Sequence, residues 1–331
     1  MTLFLLLVKT GVVTGLLYGL FAYGLSLILA VNKVFHVAQG ATFVVSAYIF
    51  YALSSTSGIP QWVAVIGAFV GAGLLGALMQ ILLYRPLARR GADPMVVLVA
   101  SLLTVSFVQY CIELIFGATV LSVPVPAWFN TSWTLGGVQF SPYDIGVVVV
   151  SLVLFAGMHW FLVKTRPGLE FRAVGDNPER ASALAINLNR VFMRSIILGS
   201  MLVVPAAILL SLQAPIQSSM GFDLLLKAVI ALTIGGMGRM SGALIGGLMV
   251  GLVEALPPFW LPTEWGEFTL YIVAFAFVLV RPNGLLGGRP KNRMPALLRA
   301  IGVGSTRRQE MEVPSTSAAP ESAPQTTGVH S

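Results

Sequence analysis

Charged residues are scarce in this chain. They make up 10% of its 331 residues, whereas hydrophobic residues make up 56%. Soluble globular proteins carry about a quarter of their residues as charges, so the composition excludes that class. It predicts an all-α polytopic membrane protein, because helices satisfy their own backbone hydrogen bonds in lipid.

Cysteine and histidine are also scarce. The single cysteine, Cys111, lies in an apolar run and can form no disulfide within the chain. The three histidines, His36, His159 and His330, are scattered, and no His/Cys spacing suits zinc. The sequence therefore predicts no metal site and no cysteine-based redox chemistry.

The motifs of nucleotide binding and hydrolytic catalysis are missing. The chain contains no G-x-x-x-x-G-K-[ST] loop, so we expect it to bind no ATP by itself. The glycines at 235–238 lack the lysine and the preceding strand that a phosphate loop needs. No Ser/His/Asp arrangement occurs in a motif context. These absences predict a chain that is not an enzyme.

Apolar runs dominate the chain, and several are long enough to cross a bilayer core of about 30 Å as helices. We expect eight or nine crossings, with breaks at 32–40 and 235–242. Glycine stripes at 11–19 and 238–251 predict close helix packing. The runs cover residues 11–31, 41–53, 62–84, 95–116, 145–163, 195–212, 224–234, 241–255 and 268–280.

Positive charges are grouped in a few loops. Sixteen of the 20 Lys and Arg residues lie in 85–93, in 164–194 and from residue 281 onward. By the positive-inside rule, the loop at 164–190 and the C-terminus face the cytoplasm. Lys9 and Lys33 flank the first run and leave the side of the N-terminus open. Because the charges report topology, the net charge of +7 does not predict a nucleic-acid partner.

The composition changes near residue 290. Residues 1–290 hold all the apolar runs and form the predicted transmembrane domain. Residues 291–331 are rich in Ser, Ala, Pro, Thr and Gln and show no apolar periodicity. This composition predicts a disordered cytoplasmic tail.

The loop at 164–190 is the only long polar segment between two apolar runs. Asn177 can cap a helix, Pro178 suits the first helical position, and Glu179 favours the positive end of the helix dipole. We expect a short helix at 178–186 whose small apolar face docks into a groove of a partner. A solvated loop with an incidental helix explains the pattern equally well. The predicted partner-binding residues are Gly175, Asp176, Asn177, Pro178, Glu179, Ala181, Ala183 and Leu184.

The two breaks supply candidates for a solute path. Irregular backbone at membrane depth is tolerated where it is buried in protein or lines water, which indicates His36, Gln39 and Gly40 in the first break. Glycine-interrupted segments in both halves of a chain are typical of a substrate path, which adds Gly236 and Gly238. An aqueous loop explains the first break equally well, and helix packing explains the second.

Charges within the apolar runs are expensive and therefore informative. Asp223 and Lys227 lie four residues apart on one helix face, which predicts a structural ion pair. Glu113 and Glu254 lie near the external ends of their runs, where they can reach water. Few carboxylates are expected near the bilayer centre, which disfavours a proton- or sodium-coupled carrier.

Three motifs occur in a fixed order along the chain. They are Gly175-Asp176-Asn177-Pro178-Glu179 with Ala181, Ala183-Leu184 and Ile186-Asn187; Gly235-Gly236-Met237-Gly238 with Gly242-Ala243 and Ile245-Gly246-Gly247; and Arg281-Pro282 with Gly284-Leu285. Over nearly all of residues 5–288 the chain resembles the branched-chain amino acid ABC transporter permease family, which has a type II ABC importer-like fold. It looks more like the H-type than the M-type permease of the leucine/isoleucine/valine system.

The resemblance implies a permease of the bacterial inner membrane that forms a heterodimer with a second permease. Two cytoplasmic ATPase subunits would dock on the loop helix and bind ATP and Mg, so this chain would need no cofactor. A periplasmic or lipid-anchored binding protein would deliver the solute. The implied solutes are branched-chain or other apolar amino acids.

Two departures from the family pattern stand out. The family commonly has Asn-Phe-Ala-His-Gly where residues 36–40 read His-Val-Ala-Gln-Gly, and it commonly has Gly in place of Ala185. We expect the helix at 178–186 to persist, since alanine is the better helix former. The Gln39 departure makes urea or short amides the alternative solutes. An ion-coupled secondary carrier and a membrane scaffold are the alternative classes.

Overall fold

The computed structural model describes residues 2–56, 59–125, 129, 131–135, 138–238, 240–281 and 284–286. Pro282 and the predicted tail at 291–331 lie outside the described residues. In chain order the helices are α1 (Thr2–Asn32), α2 (Gln39–Tyr51), α3 (Gln61–Met79), α4 (Arg85–Arg89), α5 (Pro94–Phe116), α6 (Pro142–Lys164), α7 (Arg166–Asp176), α8 (Pro178–Ala183), α9 (Leu188–Gln213), α10 (Met220–Gly235), α11 (Met240–Ala255) and α12 (Trp265–Val280).

Six spans in the described part of the chain are long and apolar enough to cross a membrane. One of them is continuous from α3 through a π-helical segment, Gln80–Tyr84, into α4. The runs at 41–53, 224–234 and 268–280 form the shorter helices α2, α10 and α12, of 13, 16 and 16 residues. A helix of 16 residues is about 24 Å long, which is less than a bilayer core of about 30 Å. These three helices pack against the longer spans and complete the bundle. The predicted helical membrane fold is confirmed.

The core of the bundle is α1, which packs against α6, α7, α9, α10 and α11. Glycines permit its contact with α11: a Cβ placed on Gly15 would lie 2.8 Å from the Gly247 carbonyl oxygen. On another side of α11, Gly246 contacts the backbone of Ala231 in α10. The predicted glycine stripes are thus confirmed as packing surfaces at 11–19 and 242–251, because α11 meets α1 and α10 at backbone distance, whereas Gly238 lies before α11 and has no such contact.

In the first break, the chain turns back into the bundle. After α1 ends at Asn32, the chain folds back, and α2 begins beside Gly24, where a Cβ would lie 2.9 Å from Nε2 of Gln39. Because Gly24 lies eight residues before the end of α1, α2 begins roughly 12 Å inside the bundle. The expected broken helix is therefore present. Residues 36–40 of this break are buried within the chain, whereas Lys33 is exposed.

The long loop before α6 contains a small hairpin that the sequence pattern did not indicate. Its strands, β1 (Trp133–Leu135) and β2 (Val138–Phe140), pair antiparallel. Lys9 joins this region to α1, since its ammonium donates to the Gln139 carbonyl at 3.0 Å and lies 2.8 Å from the Asp144 carboxylate. The first residues of α1 and α6 therefore lie at the same end of the bundle.

The opposite end carries most of the described positive charge, and we call it the basic end. It is formed by Arg85–Arg89, Arg166–Asp176 and Pro178–Ala183 together with the last residues of α1. There Asn32 donates to the Ser195 hydroxyl of α9 at 2.7 Å. The basic end thus gathers the loops in which the sequence concentrates Lys and Arg.

Candidate functional site

The loop at 164–190 folds as two helices, whereas only one was expected. The missed helix is α7, because Pro167 and Gly168 resemble a break although proline is well tolerated in a first turn. The Thr165 hydroxyl caps α7 by accepting from the Gly168 amide at 3.2 Å. Phe171 and Val174 are fully buried and anchor α7 to the bundle. The loop is therefore a packed platform.

Asn177 joins the two helices. Its side-chain oxygen accepts from the Arg180 amide at 3.0 Å, which is the predicted cap of the second helix. Pro178 occupies the first turn, and Glu179 provides the acidic charge there. Gly175 lies against α1, since a Cβ on it would be 3.0 Å from the Ala30 carbonyl oxygen. Cap and backbone contact together fix the direction in which α8 leaves the platform.

The exposed surface of α8 differs from the one predicted. Ala181 is 2% exposed and packs within the chain, so its place on a partner-binding face was wrong. Ala183 and Leu184 are exposed, and Leu184 is 74% exposed. Asp176 and Glu179 are exposed beside them. We call Ser182, Ala183 and Leu184 the α8 tip. It presents a small apolar surface beyond the basic end.

α8 ends at Ala183, three residues before the expected end at Ile186. The backbone conformation of Ala185 explains this early end. Its φ of 60° is left-handed, so it cannot continue the helix. The Ile186 amide then donates to the Ala181 carbonyl at 3.2 Å and closes the helix end. The expectation that Ala185 extends the helix was wrong, because this position is a helix terminus where glycine has the conformational advantage.

Three of the predicted path residues lie in or near the first break. His36 is fully buried, and its Nδ1 is hydrogen-bonded to the Tyr84 hydroxyl. Gln39 is also fully buried and donates to the Gly199 carbonyl at 2.9 Å. A Cβ on Gly40 would lie 2.8 Å from the Gly221 carbonyl oxygen. In this conformation Gln39 and Gly40 thus serve helix packing, whereas His36 lines a cleft.

The two path residues predicted in the second break, Gly236 and Gly238, have different surroundings. Gly236 has a φ of 110° and contacts Gly284, so it serves the turn after α10. Gly238 lines a cavity of about 400 Å³ at the basic end. Gly175 and Asp176 line the same cavity. The structure therefore places Gly238 beside the helix platform, in a cavity that Lys33 of the first break also lines.

A groove between α5 and α10 was missed because its residues lie over one hundred positions apart. Its volume is about 550 Å³, and it is lined by Leu102 and Leu103 together with Ser106, Gln109 and Asp223. At its outer side the Ser218 hydroxyl donates to the Glu113 carboxylate at 2.5 Å. This groove combines an apolar wall with hydroxyl, amide and carboxylate groups in the half of the bundle away from the basic end.

The predicted ion pair between Asp223 and Lys227 is not formed. Lys227 lies 2.7 Å from Glu254 and 2.7 Å from Glu267, which belong to α11 and to the first turn of α12. Within the described residues, Asp223 makes no ion pair. Sequence spacing favoured the partner on the same helix, whereas packing brings two carboxylates closer from other helices.

Known proteins resemble this chain over most of its length. The family described as "Branched-chain amino acid transport system / permease component" matches residues 7–278. The high-affinity branched-chain amino acid transport system permease protein LivH of Escherichia coli K12 is 28% identical over 295 residues, covering 85% of this chain and 94% of LivH. The corresponding protein BraD of Pseudomonas aeruginosa is 25% identical over 293 residues, with the same coverage of 85% and 94%.

Further matches are a permease of another import system and one solved structure. The autoinducer 2 import system permease protein LsrC of Klebsiella pneumoniae is 32% identical over 167 residues, covering 47% of this chain and 46% of LsrC. The solved structure of PsaBC from Streptococcus pneumoniae in complex with Fab has a TM-score of 0.47 and 12% identity, covering 82% of this chain and 89% of the matched chain. From the match over residues 7–278, the chain belongs to the branched-chain amino acid transport system permease family and is a multi-pass membrane protein.

Proposed function

We propose that this chain is the permease subunit of an ATP-binding cassette importer that carries branched-chain or other apolar amino acids across a bacterial inner membrane. The observation that carries the proposal is the α8 tip, which is exposed at the basic end of a chain belonging to this family. The named functions of LivH and BraD support amino acids as the solute class.

The α8 tip is the proposed contact with an ATPase subunit. Its platform is anchored through Phe171, Val174 and the Asn177 cap, so force on the tip is transmitted to α7 and to the end of α1. ATP and Mg²⁺ would bind the two ATPase subunits, and the permease would carry no cofactor. A second permease and a secreted or lipid-anchored binding protein complete the proposed importer.

The charge distribution supports an orientation with the basic end in the cytoplasm. Lys9 then lies on the external side together with Asp144, to which it is bonded. The sequence alone left the side of the N-terminus open, because Lys9 and Lys33 flank the first run. The contact with Asp144 shows that Lys9 lies at the end of the bundle opposite the basic end. In this orientation the α8 tip faces the compartment that contains ATP.

The groove between α5 and α10 is the proposed place of the solute. An amino acid could set its ammonium near Asp223 and its apolar side chain along Leu102 and Leu103. Asp223 lines this groove and makes no ion pair with a described residue. A carboxylate there favours solutes that carry an ammonium group over urea and amides. Gln39, which had motivated the amides, is engaged with Gly199.

Competition of labelled leucine uptake tests the solute class in cells that carry the whole transporter. We expect unlabelled isoleucine and valine to compete, and urea, acetamide and a neutral sugar to have no effect. Asp223→Asn should raise the KM for leucine by about tenfold, the loss expected for one hydrogen bond to a charged group. Glu264→Gln, an exposed carboxylate at the same end, is the control. Competition by urea or the sugar alone would contradict the proposal.

A further inference from the structure

A cleft of about 680 Å³ lies at the basic end, between the end of α1 and the α3–α4 span, α5 and α9. Its inner walls are largely apolar and include Ile28, Leu98 and Phe192. Three cations, Lys33, Arg85 and Arg89, line its outer part. The coupling platform of α7 and α8 contributes no residue to this cleft.

The charges of the cleft have one sign. Among the described residues that line it, none is acidic. Lys33, Arg85 and Arg89 make no ion pair with a described residue. Arg85 and Arg89 lie four residues apart, so they share one face of α4. The cleft therefore offers an uncompensated positive site to an anion.

Two polar atoms deeper in the cleft also lack partners. His36 is fully buried, and its Nε2 has no hydrogen-bond partner, while Nδ1 is engaged with Tyr84. Gln80 is 9% exposed, and its Oε1 is likewise unpartnered. Buried polar atoms without partners are costly, but both atoms are enclosed by protein, so only a ligand that enters beneath the cations and shifts these side chains could pair with them.

We infer that this cleft binds an acidic phospholipid of the cytoplasmic leaflet. The three cations bind its phosphate, the glycerol and ester groups reach His36 and Gln80, and an acyl chain follows the apolar wall. Basic pockets between membrane helices on the cytoplasmic side are typical sites for such headgroups. Met95, 67% exposed at the cleft, gives it an apolar margin suited to lipid. The orientation rests on the proposed function, but the chemistry of the cleft does not.

Lipid retention tests this inference without any transport measurement. The full-length chain, purified in detergent with the subunits that accompany it, is stripped of lipid and titrated with phosphatidylglycerol, phosphatidylcholine or inorganic phosphate. Native mass spectrometry measures the bound species, and a melting curve measures the gain in Tm. We expect phosphatidylglycerol to bind and to raise the Tm, and phosphatidylcholine and inorganic phosphate to do neither at the same concentration.

Three variants locate the site. Lys33→Asn/Arg85→Gln/Arg89→Gln should weaken phosphatidylglycerol binding by about 100-fold, following the attraction expected for three basic residues at an anionic lipid. Asparagine is chosen because residue 33 has a φ of 56°, which asparagine tolerates. Gln80→Leu keeps every charge and should weaken binding by about fivefold. The control Lys164→Gln/Arg166→Gln/Arg190→Gln removes the same charge elsewhere at the basic end and should leave binding unchanged.

Several results would overturn the inference. Equal binding of the two lipids would mean a nonspecific apolar surface. Equal binding of inorganic phosphate would mean a simple anion site. Loss of binding in the control to the same extent as in the triple variant would place the lipid elsewhere. Binding by the isolated chain that vanishes in the assembled transporter would mean that a second permease fills the cleft.

Discussion

The ammonium of Lys227 lies 2.7 Å from Oε1 of Glu254, and the two side chains join α10 to α11. Lys227 is 9% exposed and Glu254 19% exposed, so both charges are largely withdrawn from solvent. Glu267 from α12 completes the cluster at 2.7 Å but is 63% exposed. One lysine therefore fastens three helices, α10, α11 and α12.

Lys227→Met should destabilise the bundle by about 3–5 kcal/mol, because it leaves Glu254 buried without a cation. Glu267→Gln should cost less than about 1 kcal/mol, since that carboxylate is mostly in water. Melting curves of the purified variants in one detergent compare the two. Equal losses of Tm would show that burial does not decide the strength of this cluster.

Ala185→Gly should stabilise the end of α8 by up to about 1 kcal/mol, because glycine adopts the left-handed conformation without a Cβ penalty. Hydrogen exchange of the α8 amides should slow by up to about fivefold. Ala183→Gly, which places glycine in the last helical residue, should speed the same exchange and serves as the opposite-sign control. Faster exchange in Ala185→Gly would contradict the observed φ.

Ser106→Cys and Gln39→Cys distinguish the groove from the packed break. In a background without Cys111, a small water-soluble thiol reagent should modify Cys at 106, which lies in the groove, and leucine should slow the reaction. Cys at 39 should stay unmodified in the resting state, since Gln39 is fully buried. Reaction of the cysteine at 39 alone would indicate that the solute path runs through the first break and not through the groove.

Features governed by local pattern were predictable. Apolar length located most of the helices, and the glycine spacing at 11–19 and 242–251 located close packing surfaces, although it did not identify which helices meet there. The Asn177 cap and Pro178 located the start of α8 for the same reason. In each case the cause lies within a few residues along the chain.

Features that depend on distant residues were not predictable. The partners of Lys227 lie 27 and 40 residues away, whereas the sequence offered Asp223 at a spacing of four. The groove brings Gln109 of α5 to Asp223 of α10, and the cleft brings Arg85 to Lys33. A single sequence carries no signal for any of these pairs, because only the packing of the helices brings them together.

The coupling role of the α8 tip is tested most directly by Ala183→Glu in proteoliposomes that contain the complete transporter and its binding protein. Leucine-stimulated ATP hydrolysis and ATP-driven leucine uptake are measured together. We predict that both fall to background while the chain inserts and assembles as the wild type does. Thr134→Glu, which adds the same charge to the exposed hairpin at the other end, should change neither activity. Full uptake and stimulated hydrolysis in Ala183→Glu would contradict coupling through the α8 tip.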